Sequence, residues 1–297
     1  MDECDYSTLL PKGNIRPIIV EWLREDMPTF DIGGLVVGTD EKTAHLLLKT
    51  PGVFAGKPFV DIIFEELECT VSWNEEYAKE GTYIEASSSN KVVLAVVTGP
   101  ANALLRGERT ALNTISRCSG VATSSYLSKQ KLASLHPNWK GDIAGTRKVT
   151  PGSFRIVEKY GLLVGGINTH RLDLSQMTML KDNHIWSAGS ITNAVACAKK
   201  AAGFTTKIEV ECQSLEEAIE ACAAGAHIVM LDNYSSEELK EDAKLIKEQY
   251  PQIIIEASGG ITIDTMGDYV SEHVDIISRG DLTQGYSCLD YSLKIQR

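Results

Sequence analysis

Several features that would place this 297-residue chain in a common class are missing from it. Its formal net charge is −11, and this acidic balance argues against general binding to nucleic acid or to anionic membranes, which favour basic domains. No apolar run approaches the roughly 20 residues that span a bilayer, and the start MDECDYSTLL carries acids where a secretory signal carries cations. We therefore expect a soluble cytoplasmic protein, with the nucleus as a second compartment, that binds neither nucleic acid nor membranes.

Two motifs that would point to a metal or a dinucleotide are absent as well. The seven cysteines are scattered without any C-x-x-C pair, so we expect reduced cysteines and neither a disulfide framework nor a structural zinc site. The chain also has no G-x-G-x-x-G turn, which argues against an open doubly wound sheet that binds a dinucleotide.

The second half of the chain is periodic. Short apolar, β-branched runs recur at intervals of about 20 to 25 residues, with helix-forming segments between them, as in βα units. The runs are KIEVE (207–211), HIVMLD (227–232), QIIIEAS (252–258) and VDIISRG (274–280). Together with earlier strand-like segments such as GDIAGT (141–146), they add up to roughly six parallel strands covered by helices, enough to close a βα barrel.

The first half has a different pattern. One helix is expected around Ile18–Arg24, and four strand-like runs between turn residues predict an antiparallel or mixed sheet. Those runs are GGLVVG (33–38), AHLLLKT (44–50), FVDIIFEE (59–66) and NKVVLAVVTG (90–99). A long helix should follow from about Ala101 to Leu135, with a break near Gly120.

Two carboxylates stand at corresponding positions of the periodic half. Glu211 ends the KIEVE strand and Asp232 ends the HIVMLD strand, so both should lie on the rim where barrel enzymes keep their working residues. A single acid there would be interpreted as a helix cap. Two acids at equivalent strand ends, facing a basic loop, favour a functional interpretation. Such a pair could coordinate Mg²⁺ together with a substrate phosphate, or stabilise positive charge that develops on a sugar.

Positive charge is concentrated in one window of this acidic chain. Residues 140–181 contain seven Lys or Arg side chains and three acids, a local net charge of +4. Such a focus is what a pocket for a small anion needs. The candidates are Arg147, Lys148, His170, Arg171 and Lys181.

Glycines follow the last two strands of the predicted barrel. They lie in ASGG (257–260) and ISRG (277–280), at the part of the rim where phosphates often bind to backbone N–H groups. The substrate should therefore be a polyanion with both phosphate and carboxylate groups.

These residues belong to longer sequence segments that resemble one protein family. The segments are ERTALNTISRCSGVAT (108–123), GTRKVTPGSFRIVEKYGLLVGGINTHRLDLSQMTMLKDNHI (145–185), KIEVECQSLEEA (207–218), GAHIVMLDN (225–233) and IEASGGI (255–261). In this order, over about residues 100–280, they are similar to quinolinate phosphoribosyltransferases, and especially to the eukaryotic branch of that family.

The resemblance implies an activity. Members of this family transfer a phosphoribosyl group from phosphoribosyl pyrophosphate to the nitrogen of quinolinate and release pyrophosphate and CO₂, which gives nicotinate mononucleotide for de novo NAD synthesis. The resemblance also implies Mg²⁺ as the cofactor. No organic cofactor is expected, because the quaternised ring nitrogen can itself accept the electrons of decarboxylation.

The resemblance assigns roles to individual residues as well. Quinolinate would be bound by Arg109, Arg147, Lys148, His170, Arg171 and Lys181, with Arg109 reaching into the site of a neighbouring subunit. Glu211 and Asp232 would lie near the ribose and the Mg²⁺ ion, through substrate or water. The 5′-phosphate would be held by Ser258, Gly259, Gly260 and Gly280.

The implied architecture is α/β. An open or incomplete βα barrel would cover residues 118–282, and an N-terminal α/β sandwich domain would cover residues 1–117, with residues 283–297 returning to it. A shared site requires a homodimer, and the eukaryotic likeness favours a hexamer built from dimers. The phrase around residues 145–155 departs from the family's usual pattern at Gly145, Val149 and Ser153, which leaves the path of that loop open.

Other interpretations of the residues remain open. A related phosphoribosyltransferase could act on a monocarboxylate such as nicotinate, which would leave one of Arg109, Arg147 and Arg171 redundant. A barrel aldolase could form a Schiff base through Lys148 or Lys181. A non-catalytic protein could bind phosphoribosyl pyrophosphate without turnover.

Overall fold

The structure is a computed structural model and describes residues 5–296. Its helices are α1 (Lys12–Asp26), α2 (Ile32–Val37), α3 (Lys57–Glu66), α4 (Ala101–Leu135), α5 (Arg155–Val164), α6 (Asp182–Ala188), α7 (Ile191–Ala202), α8 (Leu215–Ala224) and α9 (Ser236–Gln249). Its strands are β1 (Glu41–Leu48), β2 (Gly52–Val53), β3 (Thr70–Trp73), β4 (Tyr83–Ile84), β5 (Val92–Pro100), β6 (Asp142–Ala144), β7 (Thr178–Leu180), β8 (Ile208–Cys212), β9 (Ile228–Asp232), β10 (Ile254–Ser258), β11 (Ile276–Ser278) and β12 (Tyr291–Ile295).

The chain forms two compact units, each built from separate stretches of sequence. The first unit contains the residues up to Tyr126, Thr150–Gly166 and the residues from Gly285 onward. The second contains Leu127–Val149 and Ile167–Gln284. The sequence predicts one domain of residues 1–117 together with 283–297, and a second of residues 118–282. These limits stay a prediction, because a domain is defined by its ability to fold alone.

The first unit is built on a four-stranded antiparallel sheet with the order β12-β1-β5-β3. In β1, Ala44, Leu46 and Leu48 are buried at every second position, because successive side chains of a strand point to opposite faces. The C-terminal strand β12 pairs with β1 from Leu48↔Tyr291 to Ala44↔Ile295. Helix α1 packs against α3, whose apolar side chains belong to the core of this unit.

The prediction of a strand at FVDIIFEE was wrong, because this segment lies in helix α3. A short apolar run fits a buried helix as well as a buried strand, so the sequence pattern alone is ambiguous. A distant side chain stabilises the helix start: Glu80 accepts hydrogen bonds from the backbone N–H groups of Gly56 (2.7 Å) and Lys57 (2.6 Å). These donors have no partner within the helix, so the cap favours helix here.

The prediction of a strand at GGLVVG was wrong as well, because most of it forms helix α2. Asp31 caps this helix by accepting a hydrogen bond from the Gly34 N–H (2.7 Å), as short polar residues at helix starts commonly do. Arg106 Nε in turn donates to Asp31 (2.7 Å), although it lies far along the chain. A contact over that distance leaves no local signal in the sequence.

The expected break in the long helix was also wrong, since α4 runs unbroken from Ala101 to Leu135. Gly120 serves close packing instead of a bend. A Cβ at this position would lie 2.4 Å from the backbone oxygen of Ser287, so only glycine allows that segment to approach the helix.

The second unit is a six-stranded parallel sheet with the order β6-β11-β10-β9-β8-β7. The connecting helices include α7, α8 and α9, and a strand such as β9, apolar except for the terminal Asp232, is typical of a sheet covered on both faces. Beyond β6 lies one isolated bridge between Ala144 and Asn168, and within residues 5–296 no ladder joins β6 to β7. The prediction of an open or incomplete βα barrel is confirmed.

Six cysteines lie in the described part of the chain and all six are free, whereas Cys4 lies outside the described residues. Cys69, Cys118, Cys212 and Cys222 are buried, which fits a packing role. Between residues 5 and 296, no helix is both long and apolar enough to cross a membrane.

Ser119 of α4 joins three segments of the first unit. Its Oγ accepts from the Ala55 N–H (3.0 Å), donates to the Ala55 carbonyl (3.0 Å) and lies 2.8 Å from the Tyr291 hydroxyl, all in the interior. Ser119→Ala should therefore lower the free energy of unfolding by about 2 kcal/mol, because buried polar groups lose their partners. Urea unfolding monitored by circular dichroism measures this loss.

Ser116→Ala is the matched control for this prediction. Ser116 lies in the same helix, and its Oγ donates to the Leu112 carbonyl one turn earlier. Its loss should cost well under about 1 kcal/mol, since that carbonyl remains part of the helix. Equal destabilisation by the two substitutions would contradict the role given to Ser119.

Candidate active site

A cavity of about 510 Å³ opens at the carboxyl edge of the parallel sheet in the second unit. The strand register brings the predicted residues together: Asp232 of β9 pairs with Ser258 of β10, and Glu211 of β8 pairs with Met230 of β9. The predicted residues that line the cavity are Arg147, Lys148, His170, Arg171, Lys181, Glu211, Asp232, Ser258, Gly259, Gly260 and Gly280. Their individual roles stay predictions.

One wall of the cavity is positively charged. Arg147 and Lys148 follow β6, and the loop that carries them is fixed from both sides: the Lys148 N–H donates to Thr146 Oγ1 (3.1 Å), and the Thr283 hydroxyl donates to the Lys148 carbonyl (2.7 Å). Burial, and then the neighbouring charge of Arg147, lower the pKa of Arg171. Two guanidinium groups that repel each other in a partly dry site favour an anion between them.

His170 has a left-handed backbone conformation (φ +58°) and a ring that contacts the protein at both nitrogens. The backbone N–H of Arg171 donates to Nδ1 (2.7 Å), so Nδ1 carries no proton. The ring proton is therefore on Nε2, which lies 3.3 Å from Oε1 of Glu256. The imidazole is neutral in this arrangement, and the positive charge of the wall comes from its arginines and lysines.

The acidic side of the cavity is formed by Glu211 and Asp232. Glu211 is ion-paired with Lys181 across the ends of β8 and β7. Burial, and then the charge of Glu211, raise the pKa of Asp232, which also accepts a hydrogen bond from Asn233 Nδ2 (2.6 Å). Glu211 and Asp232 thus both interact with Lys181. Their carboxylate oxygens are the kind of ligand that Mg²⁺ prefers when a substrate phosphate completes its coordination.

A glycine turn follows β10. Gly259 (φ +98°) and Gly260 (φ +62°) adopt backbone conformations that favour glycine, and a Cβ at Gly259 would lie 2.5 Å from the backbone nitrogen of Asn233. Turns of this kind direct backbone N–H groups into concavities that bind anions. Gly280 lies nearby, since a Cβ there would be 3.3 Å from Cδ of Lys148.

The sequence prediction missed a buried pair of glutamates beneath the cavity. Glu256 lines the cavity and is 3% exposed, whereas Glu209 is fully buried, and neither of its carboxylate oxygens has a hydrogen-bond partner among the described residues. Ligand atoms of His170, Glu209 and Glu256 all lie within 4.8 Å of one another. A signal existed, because Glu209 and Glu211 are two residues apart on a strand and must share a face.

Other residues line the cavity without any signal in the sequence. They are Thr146, Met179, Met230, Asn233, Ile261, Thr262, Ser278, Asp281 and Gln284. Among them, Asp281 binds the buried guanidinium of Arg279, whose NH2 group donates to Oδ2 (2.7 Å). This contact fixes the loop after β11 from inside the unit.

Arg109 is the one predicted site residue that lies in the first unit. It is exposed on α4 and lines a second cavity of about 510 Å³ together with Glu25, Asp26 and residues 151–154. Its action in the site of a neighbouring subunit stays a prediction.

The loop that departs from the family pattern ends in the first unit. Gly152–Phe154 form a 3₁₀ turn, and Ser153 Oγ accepts a hydrogen bond from Trp22 Nε1 (3.2 Å). Arg155 then begins α5, as the sequence predicts. The inserted serine is thus accommodated by a polar contact at the surface of this unit.

Glu209→Gln should change how stability depends on pH. Burial, and then the charge of Glu256, raise the pKa of Glu209, so the folded protein binds more protons than the unfolded chain at this position. Stability must then fall as pH rises from the unfolded value near 4.5 toward the raised folded value. Because glutamine has the same shape and no charge, the melting temperature of the variant should exceed that of the wild type by a margin that grows from about pH 5 to about pH 8.

Thermal unfolding across this pH range measures the margin. Glu248→Gln, at an exposed position of α9, is the matched control and should leave the difference from wild type constant with pH. A margin for Glu209→Gln that does not change with pH would show that the carboxyl group is ionised in the folded protein.

Comparison with known proteins agrees with this geometry. Residues 31–119 match the quinolinate phosphoribosyl transferase N-terminal domain, and residues 121–294 match the C-terminal domain. The chain is 51% identical over 299 residues to the nicotinate-nucleotide pyrophosphorylase (carboxylating) of Dictyostelium discoideum, with 99% of each chain covered. It is 47% identical over 295 residues to the Homo sapiens protein of the same name, covering 99% of this chain and 96% of that one.

A solved structure of the nicotinate-nucleotide pyrophosphorylase from Francisella tularensis is similar over nearly the whole chain. It aligns with a TM-score of 0.85 at 30% identity, covering 99% of this chain and 100% of that one. The likeness therefore extends through both compact units, in sequence and in fold. This chain belongs to the quinolinate phosphoribosyl transferase family.

Proposed function

We propose that this chain transfers the phosphoribosyl group of phosphoribosyl pyrophosphate to the ring nitrogen of quinolinate, with loss of pyrophosphate and CO₂, to give nicotinate mononucleotide in de novo NAD synthesis. The observation that carries this proposal is the cavity in which arginines and lysines face two carboxylates and a glycine turn. A dicarboxylate and a donor with three phosphates are both polyanions. A positive focus on a chain of net charge −11 suits both.

Quinolinate binds at the cationic wall. Arg147 and Arg171 each present a planar fork of N–H donors that matches a carboxylate, and Lys148 adds a point charge. The partial burial of Arg171 strengthens its attraction for an anion, because fewer water molecules screen the pair. His170 shapes this wall, since both of its nitrogens are already engaged within the chain.

Charge develops at the anomeric carbon as the ribosyl group moves. Breaking the bond to pyrophosphate gives the ribose oxocarbenium character, and Glu211 and Asp232 stabilise that positive charge from adjacent strand ends. Lys181 is paired with Glu211 before substrate binds and then shares its charge with the departing pyrophosphate. The same lysine thus limits repulsion between the acids in the free enzyme and neutralises the leaving group during the reaction.

Mg²⁺ belongs with the ribosyl donor. The carboxylates of Glu211 and Asp232 would supply oxygen ligands, directly or through water. Burial, and then the charge of Glu211, raise the pKa of Asp232, and a bound cation would offset both effects. When bound, the ion supplies charge neutralisation for the leaving pyrophosphate. The 5′-phosphate lies at the glycine turn, held by Ser258, Gly259, Gly260 and Gly280.

Decarboxylation needs no organic cofactor. Once the ring nitrogen carries the ribosyl group, its positive charge stabilises the electron pair left on the adjacent carbon when the C–C bond breaks and CO₂ departs, and that carbon then takes up a proton from solvent. The chain has only to keep the dicarboxylate oriented and water excluded during this step.

The active assembly is a homodimer with shared sites, and such dimers build a hexamer. Arg109 is exposed on α4, where an arginine that serves a neighbouring subunit has to be. Its guanidinium group would be the third one at the site, and with Arg147 and Arg171 it would pair both carboxylates of quinolinate. The protein acts in the cytoplasm, with the nucleus as a second compartment, and its partners are small molecules and not nucleic acid or membranes.

Turnover with quinolinate, phosphoribosyl pyrophosphate and Mg²⁺ tests the activity. CO₂ and nicotinate mononucleotide should form in equal amounts and only when all three are present. Nicotinate is the control substrate, and its kcat/KM should be at least about 100-fold lower, because a monocarboxylate leaves a partly buried guanidinium unpaired.

The alternatives give different results in the same assay. Equal turnover of nicotinate would establish a monocarboxylate enzyme, and binding of phosphoribosyl pyrophosphate without product would establish a non-catalytic protein. Borohydride trapping of a carbonyl substrate on Lys148 or Lys181 would indicate an aldolase. Each of these outcomes would overturn the proposed reaction.

A subunit-mixing experiment tests the shared site. Arg109→Ala and Arg147→Ala should each abolish most of the activity when pure. Dimers reassembled from an equal mixture should regain about one quarter of wild-type activity, because half of them are mixed and each mixed dimer contains one intact site. If Arg109 acts in its own subunit's site, no mixed dimer has an intact site and no activity returns.

A further inference from the structure

Glu256 lines this cavity, and neither the sequence nor the proposed reaction supplies a role for it. It lies in β10, three residues before Gly259 of the glycine turn, and its side chain is 5% exposed. A glutamate inside a buried strand is costly unless a partner compensates for the lost hydration. A partner in this structure is Nε2 of His170, at 3.3 Å from Oε1, and the carboxyl group of Glu209 lies beside it.

The segment that Glu256 contacts needs an anchor. His170 has a φ of +58°, a conformation that residues other than glycine rarely adopt and that must be stabilised by surrounding contacts. Its ring supplies them at two points, by accepting from the Arg171 N–H and by donating to Glu256. Because Arg171 follows directly in the chain, the position of this ring also sets where the arginine side chain begins.

We propose that Glu256 is a positioning residue of the quinolinate pocket: it fixes the His170 ring, and His170 fixes Arg171 for carboxylate binding. This inference rests on the proposed function for the identity of the ligand. Glu256 acts through another side chain and does not itself bind the dicarboxylate, which its negative charge would repel. The hydrogen-bonded chain therefore runs from strand β10 to the histidine and on to the arginine.

The neighbouring Glu209 offers a different explanation for the same cluster. A divalent metal ion could be held by His170 Nε2 and the two glutamates, whose ligand atoms lie within 4.8 Å of one another. Such an ion would occupy the position of the Nε2 proton, and Glu256 would then be a ligand and not a hydrogen-bond acceptor. The experiment must therefore observe Nε2 as well as the kinetics.

The kinetic test compares two substitutions at one position. Glu256→Leu removes the acceptor at nearly constant volume and should raise KM for quinolinate at least about tenfold, while KM for phosphoribosyl pyrophosphate changes less than about twofold. Glu256→Gln retains an acceptor oxygen and should recover KM for quinolinate to within about threefold of wild type. A general loss of packing would raise both constants and would not be rescued by glutamine.

Asp275→Asn is the matched control for the change from carboxylate to amide. Asp275 directly precedes β11, the strand beside β10, at the amino ends of the strands and not in the cavity lining; it accepts a hydrogen bond from the Ile255 N–H (2.8 Å) and is ion-paired with Lys247 (2.8 Å). Both KM values should stay at the wild-type level in this variant. Unchanged quinolinate KM in Glu256→Leu, or an equal rise in both KM values, would overturn the inference.

Nitrogen NMR of protein labelled with ¹⁵N-histidine tests the contact without any turnover. The resonance pair assigned through His170→Asn should show a neutral ring protonated at Nε2 in the wild type, and Glu256→Leu should shift Nε2 while Glu256→Gln restores it. A ring protonated at Nδ1, or one equivalent of divalent metal in the purified protein that Glu256→Gln removes, would overturn the inference. A failure of the proposed reaction leaves this measurement valid, so the two failures can be told apart.

Discussion

All strands of the second unit run in one direction, and the location of the chemistry depends on this constraint. Parallel strands in register place their carboxyl ends on one edge, so residues far apart in sequence converge without any contact designed between them. Glu211, Asp232 and Ser258 meet in this way because Asp232 and Ser258 end β9 and β10, and Glu211 lies one residue before the end of β8. The loops that follow need only short paths to bring arginines, lysines and glycines to the same edge.

Convergence brings like charges together, and the pKa shifts record the cost. Burial lowers the pKa of Arg171 and raises the pKa of Asp232, and the like charges of Arg147 and Glu211 add to these two shifts. The free cavity is therefore electrostatically frustrated, with Lys181 relieving part of the strain through its pair with Glu211. In the proposed reaction, a dicarboxylate near the arginines and a magnesium-bound phosphate donor near the acids would relieve this repulsion, which would contribute to the affinity of both substrates.

The sequence predicted the second unit better than the first, for a physical reason. Periodic βα units carry their own signals, so the strand ends and the residues on them were identified correctly as neighbours. The errors fall where a distant side chain decides local structure: Glu80 caps α3, and Arg106 holds the cap of α2. Gly120 was taken for a break because its packing partner lies far along the chain. The role of Glu256 was hidden for the same reason.

The sequence around residues 145–155 differs from the family's usual pattern, yet the loop keeps its cationic residues Arg147 and Lys148. The buried Gly145 is fixed through its backbone, whose N–H donates to the Asn168 carbonyl (2.8 Å), so no side chain is required there. Val149 is fixed in the same manner, through an N–H that donates to the Arg147 carbonyl (3.1 Å). Thr150, the next residue, is held by the buried Glu158, which accepts from both its N–H and its hydroxyl (2.7 Å each). Backbone contacts therefore hold the chain at Gly145 and Val149, and one buried acid holds Thr150, so the contacts named here do not involve the side chains of the two departing residues Gly145 and Val149.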